Sequence, residues 1–154
     1  MNISLKVKDF SNWKRLYRAL ATFILYLGKL KARYEKRKLP TEVSFEMLRH
    51  ARSVLYRKAQ HSEFHEEIYH LKKGKIIEKN SKLISLDVFL DDKGVLKAKG
   101  RASFLNYEDV IILPTNHHVT FLMVRYEHET FHHMSSIILK INITYLSYEY
   151  SVKA

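Results

Sequence analysis

The stretch Tyr126-Glu127-His128-Glu129-Thr130-Phe131-His132-His133 carries the densest set of metal-ligating side chains in the 154-residue chain. The pair His117-His118 stands just before it, so that five of the nine histidines lie between positions 117 and 133. Neutral imidazole is a zinc ligand, and structural zinc takes four nitrogen or sulfur ligands in a tetrahedron at about 2.0–2.3 Å. On a continuous helix His128 and His132, at i and i+4, share a face, whereas His128 and His133 lie about 140° apart and meet only where the helix ends between them. The two pairings predict different backbones, and either supplies half a site. The chain has no cysteine, which removes thiolate ligands, thiolate nucleophiles and disulfides together. Glu127, Glu129 and His117 are the neighbouring side chains able to add a ligand. His128-Glu129-Thr130-Phe131-His132 also fits the His-Glu-x-x-His pattern, in which two histidines hold zinc and the glutamate is the base of a metalloprotease. That short match needs a third ligand and a cleft. No Gly-rich phosphate loop, serine nucleophile motif or integrase-type acidic triad accompanies it, and the sequence predicts no catalytic activity.

The elements that must position these residues read as α+β, mainly helical with one β-hairpin. Ser11 is the expected N-cap of a helix from about Asn12 to Lys36. Trp13, Leu16, Tyr17, Leu20, Phe23, Ile24, Leu27, Leu30 and Tyr34 recur at three- and four-residue steps, predicting one core-facing stripe with Leu25 on the wrong side. Thr41 is the expected cap of a second helix, with Val43, Met47, Leu48, Ala51, Val54, Leu55 and Ala59 on its apolar face. Phe64, Ile68 and Leu71 predict a shorter third helix stopped at Lys72-Lys73-Gly74. The period then changes. Leu83 to Leu90 reads as a strand, Asp91-Asp92-Lys93-Gly94 as a turn with glycine at positive φ, Val95 to Ala98 as the return strand, and Val110 to Leu113 as a further short strand. Pro114-Thr115 opens a last helix bearing Val119, Leu122, Met123 and Tyr126 inward, and residues 137–146 are strand-like by propensity.

Charge is distributed unevenly. The chain carries 27 basic and 16 acidic residues, a net +11. Residues 1–82 hold 20 basic and 8 acidic side chains, a net +12, and residues 83–154 hold 7 and 8, a net −1. A balance of this kind points to a polyanionic partner, nucleic acid ahead of anionic lipid. The densest run is Lys29, Lys31, Arg33, Lys36, Arg37 and Lys38, six cations in ten positions, expected to serve as a nuclear-import or phosphate-contacting segment or to complement a helix C-terminus. The ten uncharged residues from Ala19 to Gly28 are about half of the ~20 that a membrane span requires, and neither a span nor a secretory signal is expected.

Further along, a set of local sequences recurs in a recognisable order. Phe10-Ser11-Asn12-Trp13 with Leu16 and Arg18 precedes the apolar helix, and Leu39-Pro40-Thr41-Glu42 opens the next; Phe64 with Glu66-Glu67-Ile68 follows. Then come Leu71-Lys72-Lys73-Gly74-Lys75, Ser81-Lys82-Leu83, Phe89 to Leu96 and Gly100-Arg101, and finally Ile111-Ile112-Leu113-Pro114, His117-His118 and Tyr126 to His133. This order resembles the Pol polyprotein of Pao/BEL-type retrotransposons, in the segment joining the reverse transcriptase/RNase H part to the integrase, over about Phe10 to His133. The resemblance implies an integrase-type zinc-binding module in which two histidines precede two cysteines, with His128 and His133 as the paired histidines. Where that family has glycines after the second histidine this chain has Met134-Ser135, and no cysteine pair follows. The expected organisation is a basic helical region over 1–75, a β-hairpin linker region over 76–113, and a truncated zinc-binding module with a divergent tail over 114–154. The expected function is a non-catalytic polyprotein fragment tied to DNA integration and nucleic-acid binding, partnered in its parent element by the rest of integrase and Pol. The alternatives are a metal-independent basic nucleic-acid-binding module, a non-functional element relic and, remotely, the metalloprotease.

Overall fold

The computed structural model describes residues 6–36, 40–99 and 109–130. They form four α-helices and a three-stranded antiparallel sheet, an α+β arrangement that is mainly helical, with a third strand added to the expected hairpin. Two compact units divide between Leu55 and Tyr56. The boundary falls inside a helix, and the hairpin and the last helix belong to the same unit.

In the first unit a short 3-10 turn, Val7–Asp9, leads into α1, Trp13–Tyr34. The cap is Asn12 rather than Ser11: its extended backbone lets the side-chain oxygen accept from the Arg15 N–H at 3.1 Å, a role in which a residue's amide oxygen serves as well as a hydroxyl. Trp13, Leu16, Tyr17, Leu20, Ala21, Leu25 and Ala32 are buried. This corrects the expected stripe on both sides. Leu25 is 6% exposed, whereas Phe23, Leu30 and Tyr34 are 39%, 45% and 92% exposed. The buried arc advances through Trp13, Tyr17, Ala21 and Leu25, and each four-residue step turns it by about 40°. Its second half is made by Leu25 with the small residues Ala21 and Ala32, and Gly28 is half buried between them. After Leu20 the large side chains of the expected stripe divide, Ile24 and Leu27 half buried and Phe23, Leu30 and Tyr34 exposed. Trp13 meets Tyr17 edge to face, with ring centroids 5.6 Å apart, and the Arg52 guanidinium lies 4.8 Å above the Tyr17 ring. After the C-cap, Glu35, Lys36 takes φ +53, the left-handed conformation that usually closes a helix on glycine.

The helix α2, Phe45–His61, starts later than Thr41 suggests because Ser44 caps it, its Oγ accepting from the Met47 N–H at 3.3 Å. The second unit takes its C-terminal turns together with α3, His65–Lys72, and the strands β1, Val88–Leu90, β2, Leu96–Ala98, and β3, Val110–Ile111. The sheet order is β1-β2-β3, with Phe89 opposite Lys97 and Lys97 opposite Ile111. Alternation along β2 buries Leu96 and Ala98 and leaves Lys97 between them half exposed, as a two-residue period requires. Phe64, Ile68, Leu83, Val88, Leu96, Ala98 and Ile112 form one core cluster.

Two local features explain the hairpin. The turn is built by Asp91: its carbonyl accepts from the Gly94 N–H at 2.9 Å, and Gly94 sits at φ +71, a conformation that glycine adopts most readily. The first strand is shorter than its β-rich composition suggests. Residues 81–86 turn instead, with the Ile84 N–H donating to the Ser81 carbonyl and the Leu86 N–H to the Leu83 carbonyl. Ser81 Oγ accepts from the Leu83 N–H and donates to Glu67 at 2.6 Å. A serine that offers the backbone a local partner competes with the ladder, so Leu83 reaches the core from a turn.

Gln60 ties α2 to this sheet. It is fully buried, its Nε2 donates to the Leu96 and Ile112 carbonyls at 2.8 and 2.7 Å, and its Oε1 accepts from the Leu96 N–H at 3.0 Å. One amide thereby satisfies backbone groups on β2 and just beyond β3, from which the chain passes through Pro114 into α4, His118–Thr130.

Candidate functional site

The helix α4 carries the histidine segment. Val119, Leu122 and Met123 are buried as expected, Thr120 is buried beside them, and Tyr126 is half buried. His128 is exposed in the last described turn. His133, its expected partner, and His132, the alternative, lie outside the described residues, so neither pairing is placed. Among the described residues no three His, Asp or Glu side chains converge on a point that would hold a metal ion. The described donors therefore do not make a zinc site by themselves.

His117 takes a different role from the ligand it resembles in sequence. Its Nδ1 accepts from the Val119 N–H at 3.2 Å and its carbonyl accepts from the Phe121 N–H at 3.1 Å, which makes it the N-cap of α4. An imidazole nitrogen that accepts a backbone N–H carries no proton of its own. His117 and His128 stand at opposite ends of the helix, eleven residues or about 16 Å apart along its axis, and cannot share an ion. His118 stacks on Phe121, with centroids 6.3 Å apart. Glu129 accepts from Arg125 Nε at 2.7 Å, an ion pair at i, i+4 on an exposed surface.

The basic segment is built at the end of α1. Lys29 is half buried and its Nζ donates to the Thr41 carbonyl at 3.0 Å, so it bridges the helix to the chain that follows. Lys31 is exposed and lies 3.7 Å from Glu35. Arg33 and Lys36 are exposed. Arg37 and Lys38 lie outside the described residues. Sequence reasoning grouped six cations as equivalent; four of them are described, and one of those four is engaged in holding the fold. Three further cations of α1, Lys14, Arg15 and Arg18, are also exposed. From Phe10 to Tyr34 there is no carboxylate, so apart from Lys31, which Glu35 faces, this element presents positive charge that none of its own residues offsets.

A groove of opposite character escaped the sequence reading. Glu63, Glu66, Glu67, His70 and Glu78 line it, from α3 and the turns on either side. Three of its carboxylates have a neighbour: Glu67 accepts from Ser81, Glu63 lies 3.4 Å from Lys82 and Glu66 3.8 Å from His65. Four glutamates drawn from a sixteen-residue window give no periodic signal, which is why only the fold reveals the grouping.

The chain matches no family model, none of the curated proteins and no solved structure. Among the described residues no helix is long and apolar enough to cross a membrane.

Proposed function

We propose that this chain is a non-catalytic nucleic-acid-binding segment, and that it derives from the part of a Pao/BEL-type Pol polyprotein leading into integrase. The observation that carries the first statement is α1: Lys14, Arg15, Arg18, Lys31 and Arg33 are exposed on a helix with no acidic residue between Phe10 and Tyr34. Phosphates neutralise such a surface at long range and without sequence preference. The origin rests on the order of motifs from Phe10 to His133. In that setting the chain contributes a basic surface and His128 with one of His132 or His133, and the rest of integrase and Pol are its partners. Zinc would need donors beyond the described set.

The test is affinity for a 20-base-pair duplex measured across salt concentrations. If about six cations neutralise phosphates, the logarithm of affinity falls with a slope near −5, so that affinity drops roughly a thousandfold between 50 and 200 mM salt. Replacing Arg33 and Lys36 by alanine reduces the slope by about one each. Lys29→Ala has the smaller effect on the slope, because its ammonium is held at the Thr41 carbonyl. Binding that ignores salt, or no binding at 50 mM, overturns the reading.

A further inference from the structure

The large apolar side chains that α1 turns away from its core form a pattern of their own. Phe23, Tyr26, Leu30 and Tyr34 are 39%, 58%, 45% and 92% exposed. At 3.6 residues per turn they fall within an arc of about 80°, and Tyr26 and Tyr34 stand about 12 Å apart along the axis. Exposed apolar residues scattered singly need no explanation; four in register over three turns of one helix do. Arg33 lies on the Tyr26 border of this arc, with Lys29 behind it, and Lys31 lies beyond Tyr34 on the other border. Lys31 is faced by Glu35 at 3.7 Å, whereas α1 itself contributes no carboxylate beside Arg33.

The partner must therefore present flat apolar surface and negative charge together. Duplex nucleic acid offers phosphates to the cations but covers no ring, because its bases are stacked on one another. An anionic lipid surface also accepts tyrosine at its headgroup level, and the vesicle arm of the experiment below separates that partner from an unpaired strand. Unpaired nucleotides supply both parts: each base has a π-face that stacks on an aromatic ring whatever its identity, and each phosphate seeks a cation. A second copy of this chain, at net +11, is repelled.

We propose that the Phe23–Tyr26–Leu30–Tyr34 ridge of α1 binds single-stranded nucleic acid, with bases stacked on Tyr26 and Tyr34 and the phosphates directed to Arg33 and its neighbouring cations. The proposal rests on the nucleic-acid reading above and narrows it to unpaired strands.

The experiment uses the full chain with an oligothymidylate strand, a mixed-sequence duplex of equal length, and vesicles containing phosphatidylserine. The expected result is tighter binding of the single strand than of the duplex. Tyr26→Ala and Tyr34→Ala each weaken single-strand binding roughly tenfold or more and leave duplex binding within about twofold. Tyr26→Phe and Tyr34→Phe, which keep the ring, retain affinity; far-UV circular dichroism and the fluorescence of buried Trp13 establish that each variant is folded. Equal binding of strand and duplex, unmoved by either alanine variant, overturns the ridge proposal and leaves the basic-surface reading standing. Absence of binding to both nucleic acids overturns both. Vesicle binding that depends on the two tyrosines, without single-strand binding, overturns the proposal in favour of a lipid surface.

Discussion

Replacement of Gln60 by leucine tests the joint that holds α2 to the sheet and, through Ile112 and Pro114, sets where α4 begins. The orientation of the amide is determined by its surroundings: two carbonyl oxygens, of Leu96 and Ile112, face one end and one N–H, of Leu96, faces the other. Leucine fills a similar volume and offers neither donor nor acceptor. The Leu96 carbonyl keeps a bond, because it also accepts from the Ile112 N–H at 3.2 Å. The Leu96 N–H and the Ile112 carbonyl each lose the side-chain partner. A buried polar group left unsatisfied costs about 1–3 kcal/mol, so two cost about 2–6, less whatever the extra apolar surface of leucine returns. A loss near 3 kcal/mol is expected, a large share of the roughly 5–15 kcal/mol that holds a domain together. Urea unfolding followed by circular dichroism measures it, and amide exchange at Leu96 locates it. Gln60→Glu sharpens the test. A carboxylate aimed at two carbonyl oxygens is repelled, so its folded-state pKa is raised, and its penalty is absent below the unfolded value of about 4.3 and grows as pH rises through the folded value. A leucine variant within about 0.5 kcal/mol of the parent, with Leu96 exchange unchanged, would refute the reasoning.

Asp91 gives a pH signature of opposite sign. Burial acts to raise its pKa, but the Val95 N–H at 2.8 Å, the Lys97 ammonium at 3.1 Å and the Lys93 N–H at 3.0 Å together hold it below the ordinary 3.8. A depressed folded pKa contributes stability that is fully present above the unfolded value, about 3.9, and is lost as pH falls through the folded one; Asp91→Ala should therefore cost about 2 kcal/mol at neutral pH and flatten that acid limb of a stability–pH profile. Asn12→Ala removes the acceptor that caps α1 and should lower stability by about 1 kcal/mol, read as a shift in the urea midpoint of Trp13 fluorescence, whereas Ser11→Ala, at the position the sequence favoured, should leave that midpoint in place.

Legibility followed the kind of physics involved. The third helix, the Asp91–Gly94 turn and the inward face of α4 were readable because each depends on local period or on a backbone conformation that one residue type supplies. The role of Gln60 was not, since its three partners lie 36 and 52 residues away. A lone glutamine near a helix end carries no sign that it is buried. His117 shows the converse. Counted with four neighbours it looks like a ligand, yet its position relative to the first helical N–H groups makes it a cap. The histidine segment mixes these cases: composition identified the donors, whereas only geometry separates His117 from His128.

In α1 the error of the sequence reading is itself informative. After Leu20 the expected stripe holds only in part, because the buried side passes to Ala21, Leu25 and Ala32, with Ile24, Leu27 and Gly28 half buried, and the aromatics stand outside. Small residues on the inner face allow close packing, and their place there is explained by the fold. Tyr26 and Tyr34 are not so explained. An exposed ring gains little from burial, and tyrosine is a poorer helix former than alanine by a few tenths of a kcal/mol. If the two tyrosines serve only the fold, Tyr26→Ala and Tyr34→Ala should destabilise it; if they serve a partner, the same changes should leave the unfolding midpoint unchanged or slightly raised while single-strand affinity falls. Stability and binding then move in opposite directions from one pair of substitutions, which no purely structural role for these rings produces.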